Sequence, residues 1–120
     1  MAKVEKIIHN NQDIIYLDVS GFVSTDEINP VLEEAHEAVR QMGSHNARLL
    51  SNVEDTRYSK EISEVAKHFV RKNSPYMKAS AIVGVKGAQL VLLKSLLKIG
   101  GRDIKRFDTQ TEALDWLAAN

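Results

Sequence analysis

Lys78 to Phe107 reads KASAIVGVKGAQLVLLKSLLKIGGRDIKRF, and the fold class follows from it. Ala79 to Val83 is short, ends in β-branched residues and lies between Pro75 and Gly84. That pattern predicts a strand buried on both faces of a parallel sheet. Lys86 to Ile99 is long enough for about four helical turns. Gly100-Gly101 supplies a stop, since glycine enters the left-handed region at low cost. Arg102 to Phe107 then reads as a second, half-polar strand suited to a sheet edge. The stretch is one strand–helix–strand unit.

At about 100° per residue, Leu90, Leu92, Leu93, Leu96, Leu97 and Ile99 span roughly half of the helix circumference. Lys94, Ser95 and Lys98 take the other half, with Val91 among them. A helix that only covers a sheet needs a narrower stripe. A neighbouring helix can cover the remainder. Alternatively Leu90, Leu92, Leu96, Leu97 and Ile99 line an apolar ligand pocket or a homodimer interface.

The flanking sequence extends the same architecture. Val4 to Ile8 and Ile14 to Val19 read as strands joined across the polar cluster His9 to Asp13, an opening hairpin. Ile15, Leu17 and Val19 share one face of the second strand, and Ile14, Tyr16 and Asp18 the other. Ser24-Thr25-Asp26-Glu27 is a helix start, with Pro30 either opening the main helix or following a short preliminary turn. Leu32, Ala35, Val39 and Met42 repeat at helical spacing up to Gly43. Ala47 to Val53 is a third strand, and Ser59 caps a helix carrying Ile62, Val65, Ala66, Phe69 and Val70. Thr109 to Glu112 is a capping box that opens a last helix packing Leu114, Trp116 and Leu117. The order ββαβαβαβα predicts an α/β fold: a mostly parallel sheet of about five strands behind an antiparallel hairpin, in one domain over residues 1–120.

The chain has 120 residues with 16 basic and 16 acidic side chains. The zero net charge gives no argument for nucleic acid as a partner. Cysteine is absent, which excludes disulfides, thiol catalysis and cysteine-ligated zinc, and fits a cytoplasmic protein. The N-terminus lacks a signal-peptide core, and no apolar run approaches the length of a transmembrane segment. The four histidines form no close pair or metal motif, and no nucleophile motif or cofactor fingerprint is present, so no enzyme activity is expected.

Two polar stretches remain as candidate sites. Asp55, Thr56, Arg57, Tyr58 and Ser59 follow a strand's carboxyl end, where open α/β sheets bind ligands and where loops carry function. Gly84, Lys86 and Gly87 lie at a second carboxyl end before a helix, where an anion could be held.

Four stretches together resemble the SpoIIAA-like family, which is related to STAS domains and to the CRAL-TRIO fold. They are Ile15-Tyr16-Leu17-Asp18-Val19-Ser20-Gly21 before a Thr-Asp-Glu helix start, Leu49-Leu50 running to Asp55, Ala81-Ile82-Val83-Gly84-Val85, and Gly101 to Phe107 leading into Glu112-Ala113-Leu114-Asp115-Trp116-Leu117. The last is the most specific. The resemblance implies a non-enzymatic protein-interaction or regulatory module of the anti-sigma-factor antagonist type, with another protein or a second copy as partner. In the antagonists a serine after an aspartate is phosphorylated to switch partners. Here Asp55-Thr56-Arg57-Tyr58-Ser59 occupies that region without the following glycine, which leaves Thr56 and Ser59 as the nearest hydroxyls. The CRAL-TRIO likeness implies the alternative, a carrier or sensor of a small lipid-like ligand.

Overall fold

The computed structural model describes residues 3–87, 89–97 and 104–120, without the side chains of 92 and 95–97. Its elements in chain order are β1 (Val4–His9), β2 (Gln12–Asp18), α1 (Thr25–Gln41), β3 (Ala47–Asn52), α2 (Lys60–Asn73), β4 (Met77–Val83), α3 (Gln89–Leu97), β5 (Ile104–Phe107) and α4 (Gln110–Ala119), with a 3-10 turn, Ser74–Tyr76, before β4. The five strands lie side by side in sequence order. β1 is antiparallel to β2, and every later pair is parallel. Asn10 and Asn11, both at positive φ, make the two-residue turn of the hairpin, the backbone twist that joins adjacent antiparallel strands.

Alternation along β2 divides the core into two layers. Ile15, Leu17 and Val19 pack with Leu49 of β3, Ala35 and Val39 of α1, and Phe69 of α2. Ile14 packs with Leu50, Ala81 and Val83 on the opposite face, under Ala113 and Leu117 of α4. Three consecutive crossovers in one direction along the sheet leave a single helix, α4, for that second face. α4 seats Ala113 and Leu117 on the sheet and places the partly buried Trp116 at the margin against Phe107, 5.7 Å between ring centroids.

Several boundaries differ from the sequence reading for local reasons. α1 starts at Thr25 and carries Pro30 inside it. The proline lies near the exposed N-terminal end, where the one carbonyl it deprives of a donor can be solvated. β4 starts at Met77, because the register with β3 shifts between Ala47 and Arg48 and Lys78 becomes an extra residue. The bulge returns Met77 to the face that holds Ser80 and Ile82. α3 starts at Gln89 rather than Lys86: Gly87 sits at φ +61, and the Lys86 N–H donates to the Gln89 side chain, so the chain is still turning there.

Candidate functional site

The carboxyl ends of β2, β3 and β4 continue past the sheet as one hydrogen-bonded rim. Val19 N–H donates to Asn52 O (3.0 Å), Val53 N–H to Val83 O (3.0 Å), Gly21 N–H to Glu54 O (2.8 Å) and Arg57 N–H to Phe22 O (2.8 Å). The Thr56 hydroxyl donates to Val19 O at 2.7 Å. Gln89 adds a clamp from α3: its amide N–H groups donate to Val53 O (2.9 Å) and Thr56 O (2.6 Å). The loop from Glu54 to Ser59 is therefore tied to three strand ends and one helix, with Asp55 at positive φ at its tip.

This geometry sorts the five loop residues. Asp55, Arg57 and Tyr58 are exposed, whereas Thr56 and Ser59 are half-buried with their oxygens engaged. Ser59 is the N-cap of α2 and accepts from Ile62 N–H at 3.1 Å. Each hydroxyl thus has a structural task. Thr56→Val is expected to lower stability by about 1 kcal/mol through loss of the bond to Val19. Ser59→Ala should cost a similar ~1 kcal/mol, while Ser59→Asp, which keeps a capping oxygen and adds an anion at a helix N-terminus, should be close to neutral. Urea denaturation of the three variants measures this, and equal losses for Ala and Asp at position 59 would contradict it.

At the second carboxyl end, Lys86 Nζ lies 3.8 Å from Asp55 Oδ1, both side chains mostly exposed, which joins the two sequence-derived candidates into one surface. A polar cleft of about 380 Å³ adjoins Gly84 and Lys86 and is also lined by Asn52, Glu54, Arg106 and Asp108. Its lining mixes both signs of charge. Gly87 lies outside that lining, at positive φ with open space around it.

Beneath the rim, between the sheet and α1, α2 and α3, is a cavity of about 340 Å³. Leu17, Leu49 and Ile82 floor it, and Leu32, Phe69 and Leu93 flank it from the three helices, with part of it open to solvent. Thr56, Arg57, Tyr58 and Gln89 line its rim end. Of the stripe residues expected on α3, Leu90 is half-buried and absent from the cavity lining, and Leu93 is the buried residue that reaches it. Leu92, Leu96, Leu97 and Ile99 fall outside the described side chains, as does the Gly100-Gly101 stop. Sequence reasoning missed Gln89, a polar residue in an apolar run; nothing in that run specifies that its amide reaches back to a distant loop.

The histidines serve packing and surface contacts. His9 Nε2 meets Asp115 Oδ1 at 2.6 Å, fastening the hairpin to α4. His36 Nδ1 bonds the buried Asn73 side chain at 2.6 Å and stands edge-on to Tyr76. His45 and His68 are exposed. Among the described residues no three histidine or carboxylate side chains converge as a metal site. The Glu37 carboxyl is held below its ordinary range, first by the hydrogen bond from Arg40 and then by that from Gln41, on the exposed side of α1.

The SpoIIAA-like family model matches residues 14–118. The chain belongs to the SpoIIAA-like family. Among solved structures it is similar to an uncharacterised protein with a SpoIIAA-like fold from Shewanella loihica PV-4, at 15% identity and a TM-score of 0.74, covering 95% of this chain and 91% of that one. It is also similar to an anti-sigma-factor antagonist (STAS) domain protein from Planctomyces limnophilus, at 16% identity and a TM-score of 0.58, covering 98% of each chain. No curated protein matches the sequence significantly. The five-stranded sheet with its antiparallel opening hairpin is the SpoIIAA-like/STAS architecture. Among the described residues no helix is long and apolar enough to cross a membrane.

Proposed function

We infer that this SpoIIAA-like chain is a non-catalytic, cytoplasmic regulatory module that binds another protein through the rim at the carboxyl end of its sheet. The observation that carries this reading is the strapped loop, which holds Asp55, Arg57 and Tyr58 outward on a base fixed by backbone and side-chain hydrogen bonds to other elements. A rigid base lowers the ordering cost of association, and an exposed aromatic beside charged groups suits a protein interface. The STAS-domain likeness supports the same reading.

The test is quantitative affinity capture from the protein's own cells with the wild-type chain, an Asp55→Asn/Tyr58→Ala variant and a control altered on α1 at Glu37. Asparagine tolerates the positive φ of residue 55, so the variant alters contact chemistry with little strain. A stoichiometric protein partner should be retained by the control and lost by the rim variant. Retention by both would place the interface elsewhere and end this reading.

A further inference from the structure

The cavity under the rim holds the volume of roughly eleven water molecules at ~30 Å³ each. A concave apolar surface of this size left partly open to water is unfavourable unless something covers it. At about 340 Å³ it falls within the ~300–1,000 Å³ of small-molecule pockets. Its body is aliphatic and aromatic, from Leu17, Leu49, Ile62, Phe69, Ile82 and Leu93.

Polar residues line both ends; at the far end Asn73 is bonded to His36, and Ser74 and Lys78 are also engaged. The rim end is lined by Thr56, Arg57, Tyr58 and Gln89. Thr56 and Gln89 spend their polar groups on backbone carbonyls. Arg57 does not: it is exposed, and among the described residues its guanidinium makes no ion pair or hydrogen bond. The mouth of an apolar cavity therefore presents one uncommitted cation.

We propose that this cavity binds a single-chain amphiphile, a hydrocarbon tail of about ten carbons with a carboxylate head that pairs with Arg57 at the rim. Burial of the tail supplies the affinity. The guanidinium sets polarity and direction, because its planar donors match a carboxylate and it stays charged at all relevant pH values. A tail in this space would contact Leu93 of α3 and Phe69 of α2 directly, so the ligand would join the sheet to both helices.

The probes are decanoate and decanol, each below its micelle concentration, titrated into the purified full chain by calorimetry with the melting temperature followed in parallel. Decanoate should bind in a one-to-one ratio and raise the melting temperature as its concentration grows, by mass action. Arg57→Ala should weaken decanoate about ten-fold and leave decanol unchanged. Two filling variants, Ala66→Phe on α2 and Ser80→Val on β4, should each abolish binding of both probes while the far-ultraviolet spectrum stays native. Either variant suffices if the other fails to fold. No binding of either probe to the folded wild-type chain overturns the proposal. Equal affinity for decanoate and decanol, with no effect of Arg57→Ala, overturns the anionic head. Binding that survives both filling variants overturns the location. The readout needs no protein partner, so its outcome is separate from that of the capture experiment.

Discussion

Leu50→Ala is expected to destabilise the chain by about 3–5 kcal/mol, measured as a lowered urea midpoint with an unchanged slope. Leu50 is fully buried at the centre of the sheet, on β3, between Tyr16 of β2 and Ala81 of β4. Above it sit Ala113 and Leu117 of α4, also fully buried. This face is covered by one helix of ten residues, so few side chains can move in to fill a lost isobutyl group. The neighbours Ala81 and Ala113 are already small. A site that cannot collapse keeps its cavity, and the cost then approaches the upper end for leucine truncation. A loss below about 1 kcal/mol would mean that α4 closes onto the sheet and that the second layer is far more plastic than its packing indicates.

The two-layer core was legible because β2 alternates without interruption, and alternation is a direct consequence of strand geometry. The three helix starts at Ser24, Ser59 and Thr109 were legible for a similar reason. A hydroxyl that accepts from the third residue onward is local chemistry, and all three side chains do so. What failed was decided at longer range. The bulge at Lys78 depends on the partner strand, and nothing in Met77-Lys78-Ala79 announces it. The start of α3 was read three residues early, because a lysine and a glycine before an apolar run do not reveal that Gln89 is engaged by the β3 loop.

The candidate site divides in the same way. The loop at Asp55 to Ser59 was found from its position after a strand, and its attachment to Lys86 was not. The width of the apolar stripe points to a neighbour for α3 besides the sheet. The neighbour among the described residues is α2, with the cavity shared between them at Leu93. Cavity volume is set by the spacing of elements, which no single segment encodes.

Gly84→Ala should cost about 3–5 kcal/mol although it adds a single methyl group, and Gly21→Ala should cost only about 1–2 kcal/mol. Both glycines sit at positive φ, Gly84 at +86 and Gly21 at +74, so both substitutions carry the penalty of the left-handed region. They differ in what the new carbon meets. At Gly21 there is nothing within 4 Å. At Gly84 the Cβ would stand 2.6 Å from the backbone nitrogen of Glu54 and 2.8 Å from its Cα. Backbone cannot rotate away as a flexible side chain can. Glu54 is itself fixed, since its carbonyl accepts from Gly21 N–H and the neighbouring Val53 N–H donates to Val83. The strain must therefore push the β3 and β4 ends apart at the base of the rim loop. Amide hydrogen exchange should show faster exchange at Val53, Thr56 and Arg57 in Gly84→Ala, with little change in Gly21→Ala beyond its own turn. Equal costs for the two substitutions would mean that the approach of Gly84 to Glu54 relaxes freely. The rim would then be a flexible loop, and its rigidity could not be what presents Asp55 and Tyr58 to a partner.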